Sequence, residues 1–322
     1  MVILATQNGV ILADTDGRGL SSSTLLHAGH DVTSVIAREG VILAGTTDGV
    51  WRSDDFGRTW EQASSGLTNR HIRWLAYHPD ISDLEFAGTE PAALYVSQDG
   101  GDRWQERPKL ALLRDKHGWW LPYSPEAGCV RGFAFHGQRA YAAVEVGGLL
   151  RSDDNGASWR LAAGSDGRPM FARPQPGLLH PDVHSIEVHP TSPDQLLAPT
   201  GGGLYRSTDG GKMWQFLWDG YVRTAWWDKD DPAHFLIGSA ENASGRNGNV
   251  LETKDGGQTW QTAANGLVTP WRRRMIERFA HSDDHVFAVT SDGQFWQVMP
   301  DDWRWTQPLP SVSGVRAVTT MQ

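Results

Sequence analysis

The chain has 322 residues, 39% hydrophobic and 21% charged, with a net charge of −9 and a pI near 5.7. That profile belongs to a globular protein and argues against a broad basic face for nucleic acid. Cys129 is the single cysteine, so a disulfide framework within the chain is excluded. No apolar stretch reaches the ~18 residues of a membrane span, and Met1-Val2-Ile3-Leu4-Ala5-Thr6 lacks the basic start of a signal peptide. A cytoplasmic protein is the resulting expectation, with neither nucleic acid nor membrane as a partner.

Val2 to Thr6, Val10 to Ala13 and Ser23 to Leu26 read as three short strands. Asp31-Val32-Thr33 then opens an apolar run, followed by a second at Val41-Ile42-Leu43-Ala44. Val50-Trp51 leads into the pattern Ser/Thr-x-Asp-x-Gly-x-x-Trp, from Ser53 to Trp60. This order repeats along the whole chain. Further runs open at His71-Ile72-Arg73, Cys129-Val130-Arg131, Asp182-Val183-His184, Tyr221-Val222-Arg223, Met275-Ile276-Glu277 and Gly314-Val315-Arg316. The box recurs at Ser97 to Trp104, Ser152 to Trp159, Ser207 to Trp214 and Thr253 to Trp260. A degenerate copy, Phe295 to Trp305, keeps the tryptophan. Successive box tryptophans are 44, 55, 55, 46 and 45 residues apart, the length of a four-stranded propeller blade with its loops.

In each box the Asp carboxylate can bond nearby backbone N–H groups while Gly supplies positive φ, and Trp begins the next strand. The hairpin is therefore the third and fourth strands of a blade, and the apolar run opening each repeat is the innermost strand. There are seven innermost strands but only six boxes, and the seventh strand ends the chain with no box after it. The three N-terminal strands complete that blade, so the expected fold is an all-β, seven-bladed propeller of four-stranded antiparallel blades closed by its own terminal strands. The blades fall at about 31–66, 71–108, 129–163, 182–218, 221–265 and 275–309, with 312–322 joined to 1–26.

These boxes resemble the Asp boxes of BNR-repeat propellers, a group that includes sialidases, xyloglucan-degrading glycosidases, sortilin-type receptors and a photosystem II assembly factor. Val183-His184-Ser185-Ile186, leading to Gly203-Leu204-Tyr205-Arg206-Ser207-Thr208-Asp209-Gly210-Gly211, is similar to bacterial WD40/YVTN/BNR-like repeat proteins. The resemblance spans the chain and implies the sialidase-like fold. Function it leaves open, and the early arginine motif of sialidases is absent before the first box.

The start of each innermost strand and the loop after the second strand open on one face, where propellers bind ligands. The third strand position supplies Thr33, Arg73, Arg131, His184, Arg223, Glu277 and Arg316; the loops supply Thr6, Thr46, Glu90, Glu145, Thr200, Glu241 and Ser291. Arginine forks bind carboxylate or phosphate, so a small anionic or polar ligand is expected at the mouth. Glu90, Glu145, Glu241 and His184 are candidate acids or bases for a hydrolase (glycosidase-like) or lyase. Arg73, Arg131, Arg223, Arg316, Glu277 and His71 are candidate ligand contacts. An equally open reading pairs Arg73 with Glu90, Arg131 with Glu145 and Arg223 with Glu241. His30, His71, His180 and His184 are candidate ligands of a divalent metal. Two insertions, 110–128 and 164–181, form candidate lids; in the first, Trp119, Trp120 and Tyr123 can stack on a ligand or plug the channel. The alternative to chemistry is a non-catalytic scaffold, assembly factor or ligand sensor that binds a protein partner.

Overall fold

The computed structural model describes residues 1–15, 20–121, 128–169, 172–282, 285–299 and 303–321. Among these residues seven antiparallel sheets form the blades, six of four strands and one of three. The innermost strands of the first three are Val32–Arg38, Ile72–Tyr77 and Cys129–His136. The ring closes where Val315–Thr320 pairs antiparallel with Val2–Thr6, Val2 opposite Thr320 and Ala5 opposite Ala317. Gly9–Thr15 and Leu20–Leu26 finish that blade.

The box turns are tied by one repeated set of hydrogen bonds. Ser53 Oγ accepts from the Gly57 amide at 2.8 Å and donates to Asp55 Oδ1 at 2.8 Å, and Asp55 accepts from the Thr59 amide at 2.8 Å. Ser97 and Asp99, Ser152 and Asp154, Ser207 and Asp209, and Thr253 and Asp255 repeat it. Gly57 sits at φ +82°, where a side chain would be strained. The box tryptophans act within and between blades. Trp60 Nε1 donates to Gly57 of its own turn, while Trp104 Nε1 crosses to Ala63 of the preceding blade, both at 2.9 Å.

Aromatic and aliphatic side chains fill the wedges between blades, as where Phe86 of the second meets Phe133, Phe135 and Trp159 of the third. Glycine allows one close approach to recur. A Cβ on Gly45, Gly88 or Gly238 would come within 2.5, 2.6 and 2.5 Å of Ile72, Val130 and Ile276, which begin the next blade's innermost strand.

Three details differ from the sequence expectation. Among the described residues the sixth blade has three strands, Ile276–His281, Val286–Thr290 and Phe295–Val298, with an isolated bridge from Gln297 to Thr306 beside the third. Its degenerate box lacks the serine and glycine that tie the other turns. In the fourth blade, regular innermost pairing is confined to Glu187–His189, with an isolated bridge from Val183 to Thr200. The first insertion holds a helix, Pro108–His117, ended by Gly118 in the left-handed conformation. Leu110 and Leu113 bury against the second and third blades.

Candidate functional site

A β-bulge places six of the seven third-position side chains, His184 of the irregular fourth blade being the exception. In the first blade Val32 pairs with Thr46 and Ser34 with Gly45, leaving Thr33 as the extra residue. The register skips Arg73, Arg131 and Glu277 in the same way, and Arg316 in the closing blade. In the fifth blade Arg223 and Thr224 lie within the irregularity between Val222 and Ala225. A bulge turns its extra side chain out of the strand's alternation. Here it brings Thr33, Arg73, Arg131, Arg223, Glu277 and Arg316 to one cavity of about 320 Å³, shared with Arg278, Gln7, Ser291 and Asp292.

Ion pairs lace this cavity together. Glu277 receives Arg131 at 2.6 Å on one oxygen and Arg223 on the other. Burial works to raise the Glu277 pKa, but Arg223 and Arg131 together outweigh it and hold the group at about 2. Arg131 also reaches Glu145 at 3.1 Å, Arg73 reaches Glu90 at 3.5 Å, and Arg316 grips Asp31 through Nε and Nη2 at 2.7 and 2.8 Å. Arg278 differs from its neighbours. Its guanidinium lies 3.9 Å from the Trp74 ring centroid, and among the described residues no carboxylate lies within ion-pair distance. Burial, followed by the charge on Arg131, pulls its pKa down, so this cation sits in a field that disfavours it.

The remaining sequence candidates are placed as follows. Arg223 pairs with Glu277 rather than Glu241, because the bulge aims it across the channel. Glu241 lies in a separate surface cavity beside Trp218, with Arg246 at 3.0 Å. Trp119 is buried, donates from Nε1 to Gly167 at 2.7 Å and packs over the Gly147 turn, so its ring is core and not a stacking platform. Trp120 is exposed, and Tyr123 lies outside the described residues. His71 is half-buried, and its backbone carbonyl accepts from the Glu90 amide at 3.0 Å. His30 stacks on His27 at 3.9 Å beside Trp51, and His180 Nδ1 accepts from the Asp182 amide at 3.2 Å. Among the described residues, His30, His71 and His180 join no group of ligand atoms close enough to hold an ion. Cys129 donates its thiol hydrogen to Glu145 at 3.1 Å, and burial followed by that carboxylate pushes its pKa well up, the reverse of a reactive thiolate.

His184 meets a carboxylate at close range. Its Nδ1 lies 2.8 Å from the Val222 carbonyl, and its Nε2 lies 3.3 Å from Asp182 Oδ2. Asp182 was missed as a site residue, although its spacing of two from His184 along an extended segment puts both on one side. Arg278 was missed because its contacts, the Trp74 ring and the Thr33 and Arg73 carbonyls, belong to other blades.

Fold and site together define a seven-bladed β-propeller with an arginine-rich ionic cluster in its central channel. No protein-family model matches the chain. It is 26% identical over 289 residues to the photosystem II assembly lipoprotein Ycf48 of Synechococcus sp. (strain CC9902), across 78% of this chain and 79% of that protein. YCF48 from Cyanidioschyzon merolae superposes with a TM-score of 0.61 at 13% identity, over 94% of this chain and 95% of that one. A YCF48 bound to D1 peptide gives 0.56 at 15% identity, over 93% and 94%. An ancestral GH74 enzyme gives 0.64 at 16% identity over 95% of this chain, which spans only 40% of that enzyme's length.

Proposed function

We propose that the chain is a non-catalytic, Asp-box type propeller that binds an acidic segment of a partner protein at its arginine-rich channel, in the manner of an assembly factor. The similarity to Ycf48 favours this class, and a YCF48 has been captured with a peptide. The observation that carries the reading is the charge inventory of the cavity. Five arginines line it, while Glu277 and Asp292 are the carboxylates among the lining residues. Among the described residues Arg278 makes no direct ion pair, only the Trp74 stack and hydrogen bonds to the Thr33 and Arg73 carbonyls, and a peptide carboxylate would supply one.

The same inventory weighs against a hydrolase or lyase. Glu90, Glu145 and Glu241 are each engaged by an arginine, Arg73, Arg131 and Arg246. Such pairing commits these carboxylates to ion pairs rather than to a substrate.

Fluorescence anisotropy with labelled peptides tests the proposal. A glutamate-rich peptide with a free C-terminal carboxylate should bind and weaken as salt rises, and a lysine-rich peptide should not. Arg278→Gln and Arg316→Gln should each weaken binding about tenfold. Equal affinity for both peptides, or unaltered binding by both variants, refutes the reading. Binding of free glutamate with the same affinity as the peptide would point to a small-ligand sensor instead.

A further inference from the structure

We infer that Glu145, Asp182 and His184 form a site for a divalent metal ion of zinc-like chemistry, set between the third and fourth blades. One ligand atom from each lies within 4.8 Å of the other two, and all three residues are buried, at 3%, 8% and 1% exposure. The Val222 carbonyl can only accept, so His184 Nδ1 carries the hydrogen of that bond. In the neutral ring Nε2 then presents a lone pair. It finds Asp182 Oδ2 at 3.3 Å, and no aligned hydrogen-bond partner for Nε2 exists among the described residues. Asp182 Oδ1 is likewise buried without a partner. Acceptors facing each other out of water repel unless a cation lies between them.

The geometry suits zinc. Nitrogen and oxygen ligands at about 2.0–2.1 Å from a tetrahedral ion stand roughly 3.3 Å apart, the separation of His184 Nε2 from Asp182 Oδ2. Imidazole with two carboxylates favours a borderline ion over calcium or magnesium, which prefer oxygen alone. Outer contacts orient the ligands as metal sites require. The Val222 carbonyl fixes the imidazole, while Arg131 and the Cys129 thiol hold Glu145 Oε2, each at 3.1 Å. The backbone also leaves room, since a Cβ on Gly201 would lie 2.0 Å from Asp182 Oδ2. Such an ion would join the end of one blade's second strand to the start of the next blade.

The test uses full-length protein, stripped with chelator and titrated with zinc chloride. Elemental analysis after gel filtration should find one equivalent of zinc, and thermal melting should rise by at least about 2 °C. Asp182→Asn, nearly isosteric, and His184→Gln should each weaken zinc binding more than about tenfold, while Glu61→Gln on an exposed strand should bind as wild type. The proposal is overturned if no zinc is retained and the melt does not move, or if the two variants bind undiminished. It is equally overturned if NMR shows His184 as an imidazolium in the zinc-treated protein, since a proton would then occupy the place assigned to the ion.

Discussion

Glu277 answers two guanidinium groups with one carboxylate, so removing its charge exposes both. Glu277→Gln should keep the side-chain volume yet leave Arg131 and Arg223 facing each other, lowering stability by about 1–3 kcal/mol in urea unfolding. The pH dependence has a fixed sign. The folded pKa lies near 2, below the ordinary 4.5, so this contribution is present above about 4.5 and is lost as pH falls through 2. Wild type should therefore lose its advantage over the variant between pH 5 and 2; a constant gap across that range would show that the charge is immaterial. Which residues take third positions was legible, because the seven copies align. Their partners were not. Arg131–Glu145 and Arg73–Glu90 join adjacent strands of one blade, but Arg223–Glu277 and Arg131–Glu277 cross between blades, at distances that strand order does not reveal.

At the level of elements, glycine and bulge cooperate. Gly88 lies opposite Trp74, just past the Arg73 bulge, and its missing side chain admits Val130 of the next blade. Gly88→Ala should force those strands apart and lower stability by about 1–3 kcal/mol, with peptide affinity falling because Arg73 and Arg131 shift with their strands. A melting temperature equal to wild type would contradict that account. The box hairpins were readable from their repetition. The helix Pro108–His117 was passed over, though it carries its own signals, Pro at its first position and Gly118 beyond its end. Those signals lie inside an insertion where no neighbouring copy exists for comparison.

For the molecule as a whole, closure was legible by counting, since seven first strands are matched by only six boxes and three strands wait at the other end. Deleting residues 315–322 removes the partner of Val2–Thr6, whose residues are all buried. The shortened chain should aggregate or lose its cooperative melt in size-exclusion and calorimetric runs; a well-behaved monomer melting like the full chain would mean that the seam adds little.

That seam also sets a timetable for synthesis. Thr6 and Val315 are separated by 309 positions yet lie side by side. At about 5–20 residues per second, the ribosome needs roughly 15–60 s to deliver the second after the first. Throughout that interval an apolar edge made at the outset remains open to any passing strand. A nascent chain of this design should therefore depend on chaperone cover early in translation, well before its own last strand can take over the task.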